Sequence, residues 1–588
     1  MTKNSMNNTD NFDIRPAAVD AWLKQLPLAH LGETARQLYL AMRSVNRQDD
    51  VAVKDYFNFL EGVSLHLTHI LPELHKHYVG KPLPLSTKRR KISDLYTQLL
   101  RQSIDGYQRV IASSIELSRF GWKKIITTAV HRILFYHSLM LCNFRLLYMP
   151  FPRGTWQRLY WLFQLIDKHD LLDSKVQCLI NPDMKTTLDN EFKKLLLINL
   201  LSPSLFKMTE LQEVLDNMDI WVSHTALSGQ RQPHHEQTYA FITNTDMSPG
   251  LVATAPQFQA HAADLRYFDI TPLIQFIQQQ LNAAKAEQNL IGLARGRSIG
   301  RRTAIVLLNN WGRPATRDSE RRSIQGHAEL AIGMSAIHYL VSEGRETTTV
   351  TVATKPIETP SEQFTFTSDA PALDSPSSFN LHGFATEREE ARDIWDSAYF
   401  DPEPPPPSWT DSIRLKAYHY LQARIVNISR GGFCVAVPQE GVEHIQTSEL
   451  IAARGKNGQW QLGEIRWMVC PAAGPIRAGI KRLSSQVKPT QLHIQARNHQ
   501  SQPIKALMGE NEQRVVLFLP ALPTRLEGKT LALECEGQLR RFALQEAIFS
   551  TPTGSAHYVT WSDEKQNATD SLLQPVAQDK FAAVWASL

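Results

Sequence analysis

The stretch "QARIVNISRGGFCVAVP", residues 422–438, decides the fold of the middle of this chain. Two apolar, β-branched runs stand on either side of a joint made of polar and glycine residues. Glycine adopts turn conformations freely, and Asn and Ser side chains hydrogen-bond to nearby backbone, so such a joint is typical of a turn between strands. The stretch therefore predicts a β-hairpin, and its joint presents Asn427 and Ser429 as short polar groups that could also line a ligand site.

Strand patterns continue on both sides of this hairpin. Downstream, "SELIAAR", "WQLGEIRWMVC" and "IRAGIKRL" are short apolar runs separated by turn residues. Upstream, "GHAELAIGMS" alternates Leu330, Ile332 and Met334 with polar or small residues, which is the two-residue period of a half-buried strand. Short strands with turn signals between them predict a small antiparallel β-barrel, built from residues 313–344 and 413–490.

The two parts of the predicted barrel are separated by a segment of different composition, residues 345–412. It is rich in Thr, Ser and Pro, it ends in "DPEPPPPSWT", and its acidic residues far outnumber its basic ones. Such composition predicts a largely disordered insertion, and a long insertion costs little extra loop-closure entropy. The rest of the chain is correspondingly basic, which favours an anionic partner.

The chain outside the barrel divides into three further regions. Residues 14–225 repeat apolar residues at helical spacing, with Ser86 as a candidate N-cap, and predict a helical bundle or array. Residues 226–312 combine a connector with mixed α and β patterns, and residues 496–588 predict a C-terminal β-rich unit. The fold class expected is therefore α+β multidomain: an N-terminal all-α domain, a small antiparallel β-barrel and a β-rich unit.

Cysteine usage and hydropathy indicate the compartment. The five cysteines are scattered and odd in number, which argues for a reducing environment, and the start of the chain contains no apolar signal segment. The most apolar long run, residues 129–149, is interrupted by His131, Arg132 and Arg145, so we expect a buried helix rather than a bilayer span. We expect a cytoplasmic protein without membrane insertion.

The joint of the opening hairpin resembles a known family. "NISRGG" matches the [D/N]-x-S-x-x-G signature of PilZ domains through Asn427, Ser429 and Gly432, and "WQLGEIRW" and "AGIKRL" look like later strands of that family's barrel. PilZ domains are small β-barrels, and many bind the bacterial second messenger cyclic di-GMP. The resemblance implies that Asn427, Ser429 and Gly432 contact this nucleotide.

The family's second element is an R-x-x-x-R pair upstream of the first barrel strand, and several pairs fit. We favour Arg317 and Arg321, which directly precede the strand "AELAIGMS" and lie in a basic cluster with Arg313 and Arg322. The distance between Arg321 and Asn427 is wider than in the common pattern. The remaining candidates are the runner-up pair, Arg388 and Arg392, and the weaker Arg430.

The chemistry of these residues suits a guanine dinucleotide. A guanidinium can bind a phosphate through two hydrogen bonds, meet the N7/O6 edge of guanine or stack on its face. We therefore expect a cyclic di-GMP receptor that couples nucleotide binding to a protein partner. A PilZ-like scaffold that has lost nucleotide binding and acts through its helical domain is the alternative.

Catalysis, metal binding and nucleic-acid binding are not expected. The sequence contains no G-x-S-x-G, H-E-x-x-H or Walker motif, and no GGDEF or EAL motif for synthesis or breakdown of the messenger. Four histidines, His66, His69, His75 and His77, fall close together but without a metal-binding motif. We expect no enzyme activity, no metal and no cofactor.

Overall fold

In the computed structural model the described residues are 12–49, 51–117, 122–206, 208–232, 235–252, 264–285, 288–312, 320–342, 420–442, 444–455, 458–496, 499–500, 503–511, 514–520, 531–535, 538–551 and 554–561. The predicted insertion, 345–412, lies outside the described residues, and so do Arg313, Arg317, Arg388 and Arg392.

The described chain before residue 226 is mainly helical, as its apolar spacing predicts. Its helices are α1 (Pro16–Gln25), α2 (Leu31–Val45), α3 (Val53–Lys76), α4 (Thr87–Leu117), α5 (Trp122–Leu146), α6 (Thr155–Lys168), α7 (Leu188–Leu200), α8 (Met208–Asp216) and α9 (Met218–Ser223). A small hairpin, β1 (Lys175–Gln177) and β2 (Lys185–Thr187), precedes α7. Helices α3, α4, α5 and α7 pack in sequence around buried leucines such as Leu67 and Leu99.

Two details of these helices can be compared with the sequence. The Ser86 carbonyl accepts the N–H of Arg90 at 2.8 Å, so Ser86 stands directly before α4, as expected of a cap residue. Proline removes a backbone N–H from a helix interior, yet α3 continues through Pro72 to Lys76. Buried residues on both sides of the proline, Leu71 and Leu74, keep this last turn in the core.

The region from residue 226 to 312 mixes helices and strands, as predicted. Its sheet has the order β3-β6-β4-β5, and a separate hairpin pairs β7 with β8. The strands are β3 (Ala226–Ser228), β4 (Thr238–Ile242), β5 (Gly250–Leu251), β6 (Leu265–Asp269), β7 (Leu290–Gly292) and β8 (Ser298–Gly300). Helices α10 (Thr271–Ala283) and α11 (Arg301–Gly312) pack against each other.

Six antiparallel strands close the predicted barrel in the order β10-β11-β14-β13-β12-β9. They are β9 (Arg322–Ile332), β10 (Leu421–Ser429), β11 (Gly432–Val437), β12 (Leu450–Arg454), β13 (Trp460–Val469) and β14 (Ile476–Ser484). Strand β10 ends at Ser429 and β11 begins at Gly432, so the opening stretch forms the tight hairpin that its pattern predicts. Alternate residues such as Val435, Ala478 and Ile480 belong to the hydrophobic core.

The C-terminal part is β-rich, as predicted. Its sheet has the order β16-β15-β17-β18-β21-β20-β19, with a further pairing between β15 and β19. The strands are β15 (Val487–Ala496), β16 (His499–Gln500), β17 (Ile504–Asn511), β18 (Arg514–Pro520), β19 (Leu531–Cys535), β20 (Gln538–Thr551) and β21 (Gly554–Trp561).

The strand predicted through Met334 is wrong beyond Ile332. There β9 ends, and helix α12 (Met334–Ser342) begins after Gly333, whose φ of 84° favours glycine. The helix buries Ile337 in a hydrophobic cluster formed with the barrel and the C-terminal sheet. The apolar residues that suggested a strand therefore serve a helix between the two β structures.

The helical domain and the barrel share one hydrophobic core. A single cluster of buried residues extends from the helices through the mixed region into the barrel. Leu83, before α4, forms an isolated β-bridge with Ile445, and the Ile445 N–H donates to the Leu83 carbonyl at 2.9 Å. The two units are thus packed against each other rather than strung on a linker.

Among the described helices, α5 has the length and apolar composition of a membrane span. Most of its apolar stretch is buried inside the protein, including His131, Arg132 and His137. Helix α5 is accounted for as a core helix, in agreement with the expectation from its interrupting charges.

Candidate functional site

A cavity of about 180 Å³ lies on the barrel at the end that carries the β10–β11 hairpin. Four strands and the residue before β9 contribute to it. It is lined by Arg321, Asn427, Ser429, Gly431, Gly432, Phe433, Cys434, Arg466, Trp467, Gly479, Ile480 and Lys481. No acidic side chain is among these lining residues.

Strand register explains why these residues meet. Across β10, β11, β14 and β13, four residues stand side by side: Asn427, Cys434, Gly479 and Trp467. Their neighbours along β11, such as Val435, point into the core, so this row lies on the outer face of the barrel. A second row on the same face joins residues from β10, β11 and β14, namely Ser429, Gly432 and Lys481.

Two residues of the N-x-S-x-x-G signature maintain the hairpin. The Ser429 hydroxyl donates to the Gly432 carbonyl at 3.2 Å. A Cβ on Gly432 would collide with the backbone carbonyl of Ile480, so glycine is required for β11 to approach β14. Gly432 thus serves strand pairing at the cavity wall, and its contact with the nucleotide stays a prediction.

Asn427 is differently placed. Its side chain is half-buried at the cavity, and no described residue hydrogen-bonds its amide. A register shift between Ile425 and Asn427 bends β10 directly before this position, on the side away from the hairpin. Asn427 is therefore the signature residue whose polar atoms are available to a ligand.

Cationic side chains surround the cavity. Arg321, Arg466 and Lys481 line it, and neither Arg321 nor Lys481 forms an ion pair with a described residue. Arg466 is partly neutralised, because its Nη1 lies 3.1 Å from the Glu464 carboxylate. The site carries an excess of positive charge that suits an anion.

The floor of the cavity contains a buried thiol. Burial raises the pKa of Cys434, and the neighbouring Arg477, then Arg321, oppose this shift only in part. The thiol is therefore neutral at physiological pH, and the charge of Arg321 remains uncompensated by it.

One wall of the cavity is aromatic. The Trp467 indole lies against the Cα of Gly479, in the space where any side chain at 479 would have to be. A planar, half-exposed indole beside a cationic cavity offers a stacking surface for a base.

The structure brings together four of the five favoured site residues that the sequence suggested. Arg321, Asn427, Ser429 and Gly432 line one cavity, whereas the fifth, Arg317, lies outside the described residues. Of the secondary candidates, Arg322 is the first residue of β9, opposite Ile428, and Arg430 is exposed in the hairpin turn. Neither Arg322 nor Arg430 lines the cavity.

Sequence reasoning missed Arg466, Trp467 and Lys481 as site residues. They lie within "WQLGEIRW" and "AGIKRL", which were recognised only as strands. Alternation along those strands could have indicated an outward face, but the pairing of β11 with β14 is not visible in sequence order.

A larger cavity of about 410 Å³ lies beside α3 in the helical domain. It is lined by Leu28, Leu31, Leu65, His66, His69, Ile70 and Glu73. The described residues contain no group of three or more His, Cys, Asp or Glu arranged to hold a metal ion.

Comparisons with known proteins agree with this structure. Residues 17–234 match the family model for the N-terminal domain of the cyclic-di-GMP receptor FimW, and residues 239–489 match the model for its middle PilZ domain. Residues 239–489 therefore form a PilZ domain.

A curated relative extends the similarity to the whole chain. The cyclic-di-GMP receptor FimW of Pseudomonas aeruginosa is 23% identical over 99% of this chain and 98% of its own length. No solved structure matches the chain.

Proposed function

We propose that this protein is a bacterial, cytoplasmic receptor for cyclic di-GMP that binds the nucleotide on the outer face of the barrel. The observation that carries this proposal is the meeting of Arg321 with Asn427 and Ser429 in one cation-lined cavity, although Arg321 and Asn427 lie far apart in sequence. The name of the Pseudomonas aeruginosa relative supports the same ligand.

The chemistry of the site fits a doubly charged dinucleotide with two guanines. Arg321 and Lys481 offer charge to phosphates, Asn427 offers a donor and an acceptor to a guanine edge, and Trp467 offers a stacking face. The cavity is smaller than the roughly 300–1,000 Å³ of ordinary ligand pockets, so the dinucleotide lies partly on the barrel surface. Arg321, directly before β9, is placed to contact the dinucleotide at the edge of the cavity.

The proposed output is a changed interaction with a protein partner, and the helical domain is placed to carry it. The loop between β13, which carries Trp467, and β14 is held by residues of the helical domain. Arg90 of α4 donates to the Ala472 carbonyl at 2.7 Å, and the Cys470 N–H donates to the Tyr148 carbonyl at 2.8 Å. Such a receptor needs no turnover, because the ligand acts by stabilising the state that it binds better.

Calorimetric titration with cyclic di-GMP, GTP and GMP tests the proposal. We expect saturable binding of cyclic di-GMP and weaker binding of the mononucleotides. Arg321→Ala removes charged hydrogen bonds of about 1.5–3 kcal/mol each, so affinity should fall about 10- to 150-fold. Arg317→Ala should act in the same way if both arginines of the R-x-x-x-R pair bind the nucleotide.

Arg322→Ala is the matched control, because Arg322 is adjacent and exposed but does not line the cavity. Unchanged affinity in both Arg317→Ala and Arg321→Ala would refute the arginine assignment and favour Arg388 and Arg392. Absence of binding by the wild-type chain would favour the alternative, a PilZ-like scaffold.

A further inference from the structure

The C-terminal sheet is itself a closed barrel. Strand β15 pairs with β17 and also with β19, where Leu492 stands opposite Leu533. Six strands therefore form a ring in the order β15-β17-β18-β21-β20-β19, and β16 pairs antiparallel with the end of β15 outside this ring. Leu492, Leu517, Leu533 and Phe542 are buried together inside this ring.

The two barrels have the same topology. Counted along the chain, the six strands of each ring are neighbours in the pairs first–second, second–third, third–sixth, sixth–fifth, fifth–fourth and fourth–first. Every pairing is antiparallel in both rings. Of the two non-sequential pairings, third with sixth and fourth with first, the third–sixth pairing brings β11 beside β14 at the cavity of the first barrel.

The hairpin between the second and third strands aligns the two barrels residue by residue. In the first barrel Ser429 stands opposite Gly432 across a two-residue turn. In the second barrel Asn511 stands opposite Arg514, also with two residues between them in sequence. Arg514 thus occupies the position of Gly432.

The pairing of third and sixth strands extends this alignment. Cys434 is opposite Gly479 in the first barrel, and Val516 is opposite Tyr558 in the second. Tyr558 therefore occupies the position of Gly479. Burial agrees with the alignment, since Val435 and Leu517, one residue further along each third strand, both face the core.

On the outer face of the second barrel, large side chains stand at the positions where the first barrel has glycines. The Arg514 guanidinium lies 3.7 Å from the centre of the Tyr558 ring, and its Nη2 donates to the Gln545 side-chain oxygen at 2.6 Å. Stacking and hydrogen bonding hold this pair together over the surface that corresponds to the nucleotide site.

Further along the same face, strand β18 packs against the first barrel. Val516 and Phe518 of β18 belong to one hydrophobic cluster with Leu450 and Leu462 of the first barrel and Ile337 of α12. The face that is open to ligand on the first barrel is a packing face on the second.

We propose that the C-terminal unit is a second barrel of PilZ topology whose nucleotide face is closed, so that cyclic di-GMP binds at the first barrel alone. This inference rests on the proposed function for its nucleotide part. The second barrel serves instead as a body on which α12 and strands β12 and β13 of the first barrel pack.

Titration of full-length variants with cyclic di-GMP tests the one-site assignment. The double variant Arg321→Ala/Asn427→Ala should lose all saturable binding, and Arg514→Ala should keep the wild-type affinity and stoichiometry. A residual saturable component in the double variant that is lost on adding Arg514→Ala would overturn the assignment. Failure of the wild-type chain to bind would refute the proposed function and the one-site assignment with it.

Barrel closure is tested without nucleotide. His493 and Ala532 are directly opposite each other at the β15–β19 pairing, so His493→Cys/Ala532→Cys should form a disulfide on mild oxidation. The two single variants are the controls for reaction with native cysteines. If the double variant crosslinks no more than the two single variants, the second sheet is not a closed barrel, whatever the nucleotide titration gives.

Discussion

At the scale of single residues, the N-x-S-x-x-G signature combines a structural role with a role in ligand recognition. Ser429 and Gly432 maintain the hairpin, whereas Asn427 presents its amide to the cavity. A structural requirement and a recognition group are therefore adjacent in sequence. Loss of the signature glycine would damage the site by moving strands rather than by removing a contact.

Gly432→Ala should destabilise the barrel even without ligand. Its Cβ would meet the Ile480 carbonyl, which is backbone and cannot turn aside, and overpacking of this kind typically costs about 1–3 kcal/mol. Gly431→Ala is the control, because no atom lies within 4 Å of a Cβ built there. Urea unfolding compares the two, and equal stabilities would contradict the assigned role of Gly432.

At the scale of elements, the junction of α12 with β12 contains a buried carboxyl group. Glu449 directly precedes β12, no described residue hydrogen-bonds its Oε2, and His444 Nε2 lies 3.7 Å away. Burial raises the pKa of Glu449 to about 7. Below about pH 7 the folded state therefore holds Glu449 mainly in its protonated form.

This carboxyl group should make stability depend on pH. A raised folded-state pKa gives a contribution that is complete below the ordinary value near 4.5 and is lost as pH rises toward 7. We expect a loss of up to about 3 kcal/mol across that window. Glu449→Gln should remove this component from the free energy of unfolding, measured as the difference from wild type at each pH.

The exposed Glu440 provides the comparison for that experiment. Glu440→Gln should leave the pH profile of unfolding unchanged. A Glu449→Gln profile parallel to wild type would show that Glu449 ionises normally in the folded protein.

Elements of the first barrel could be predicted from local sequence, but their neighbours could not. The alternating pattern and the turn at 430–431 define the hairpin, because both signals lie within a few residues. The pairing of β11 with β14 depends on barrel closure, which no local pattern encodes. For this reason Asn427 was identified as a site residue and Trp467 was not.

The same limit applies to Met334. Its apolar spacing with Leu330 and Ile332 is compatible with a strand, and Gly333 gave the one local signal of a break. A helix forms there because the cluster between the two β structures buries Ile337. Tertiary packing decided the secondary structure.

At the scale of the whole molecule, a network of hydrogen bonds connects the candidate site to the helical domain. Arg90 donates to the Ala472 carbonyl and to the Gln439 side chain, and Gln439 donates to the Pro471 and Gly474 carbonyls. These contacts hold the loop between β13 and β14, the strands that carry Trp467 and Gly479.

Arg90→Ala should preserve nucleotide binding at the barrel but weaken the effect of binding on the helical domain. The substitution leaves the cavity intact, so the affinity for cyclic di-GMP should change less than about threefold, since no direct contact is lost. Ligand-induced protection of α4 amides from hydrogen exchange should be reduced. Lys88→Ala, an exposed change in the same turn, is the control, and equal protection in both variants would exclude Arg90 as the link.

The hydrophobic core shared by helices and barrel has a consequence for dissecting the protein. A fragment that starts after the helices would expose Ile445 and its neighbours, which Leu83 covers in the whole protein, as a hydrophobic patch. Cutting the chain at that sequence boundary should therefore produce two fragments that aggregate instead of folding independently. The helical domain and the barrel should therefore be expressed and studied as one unit.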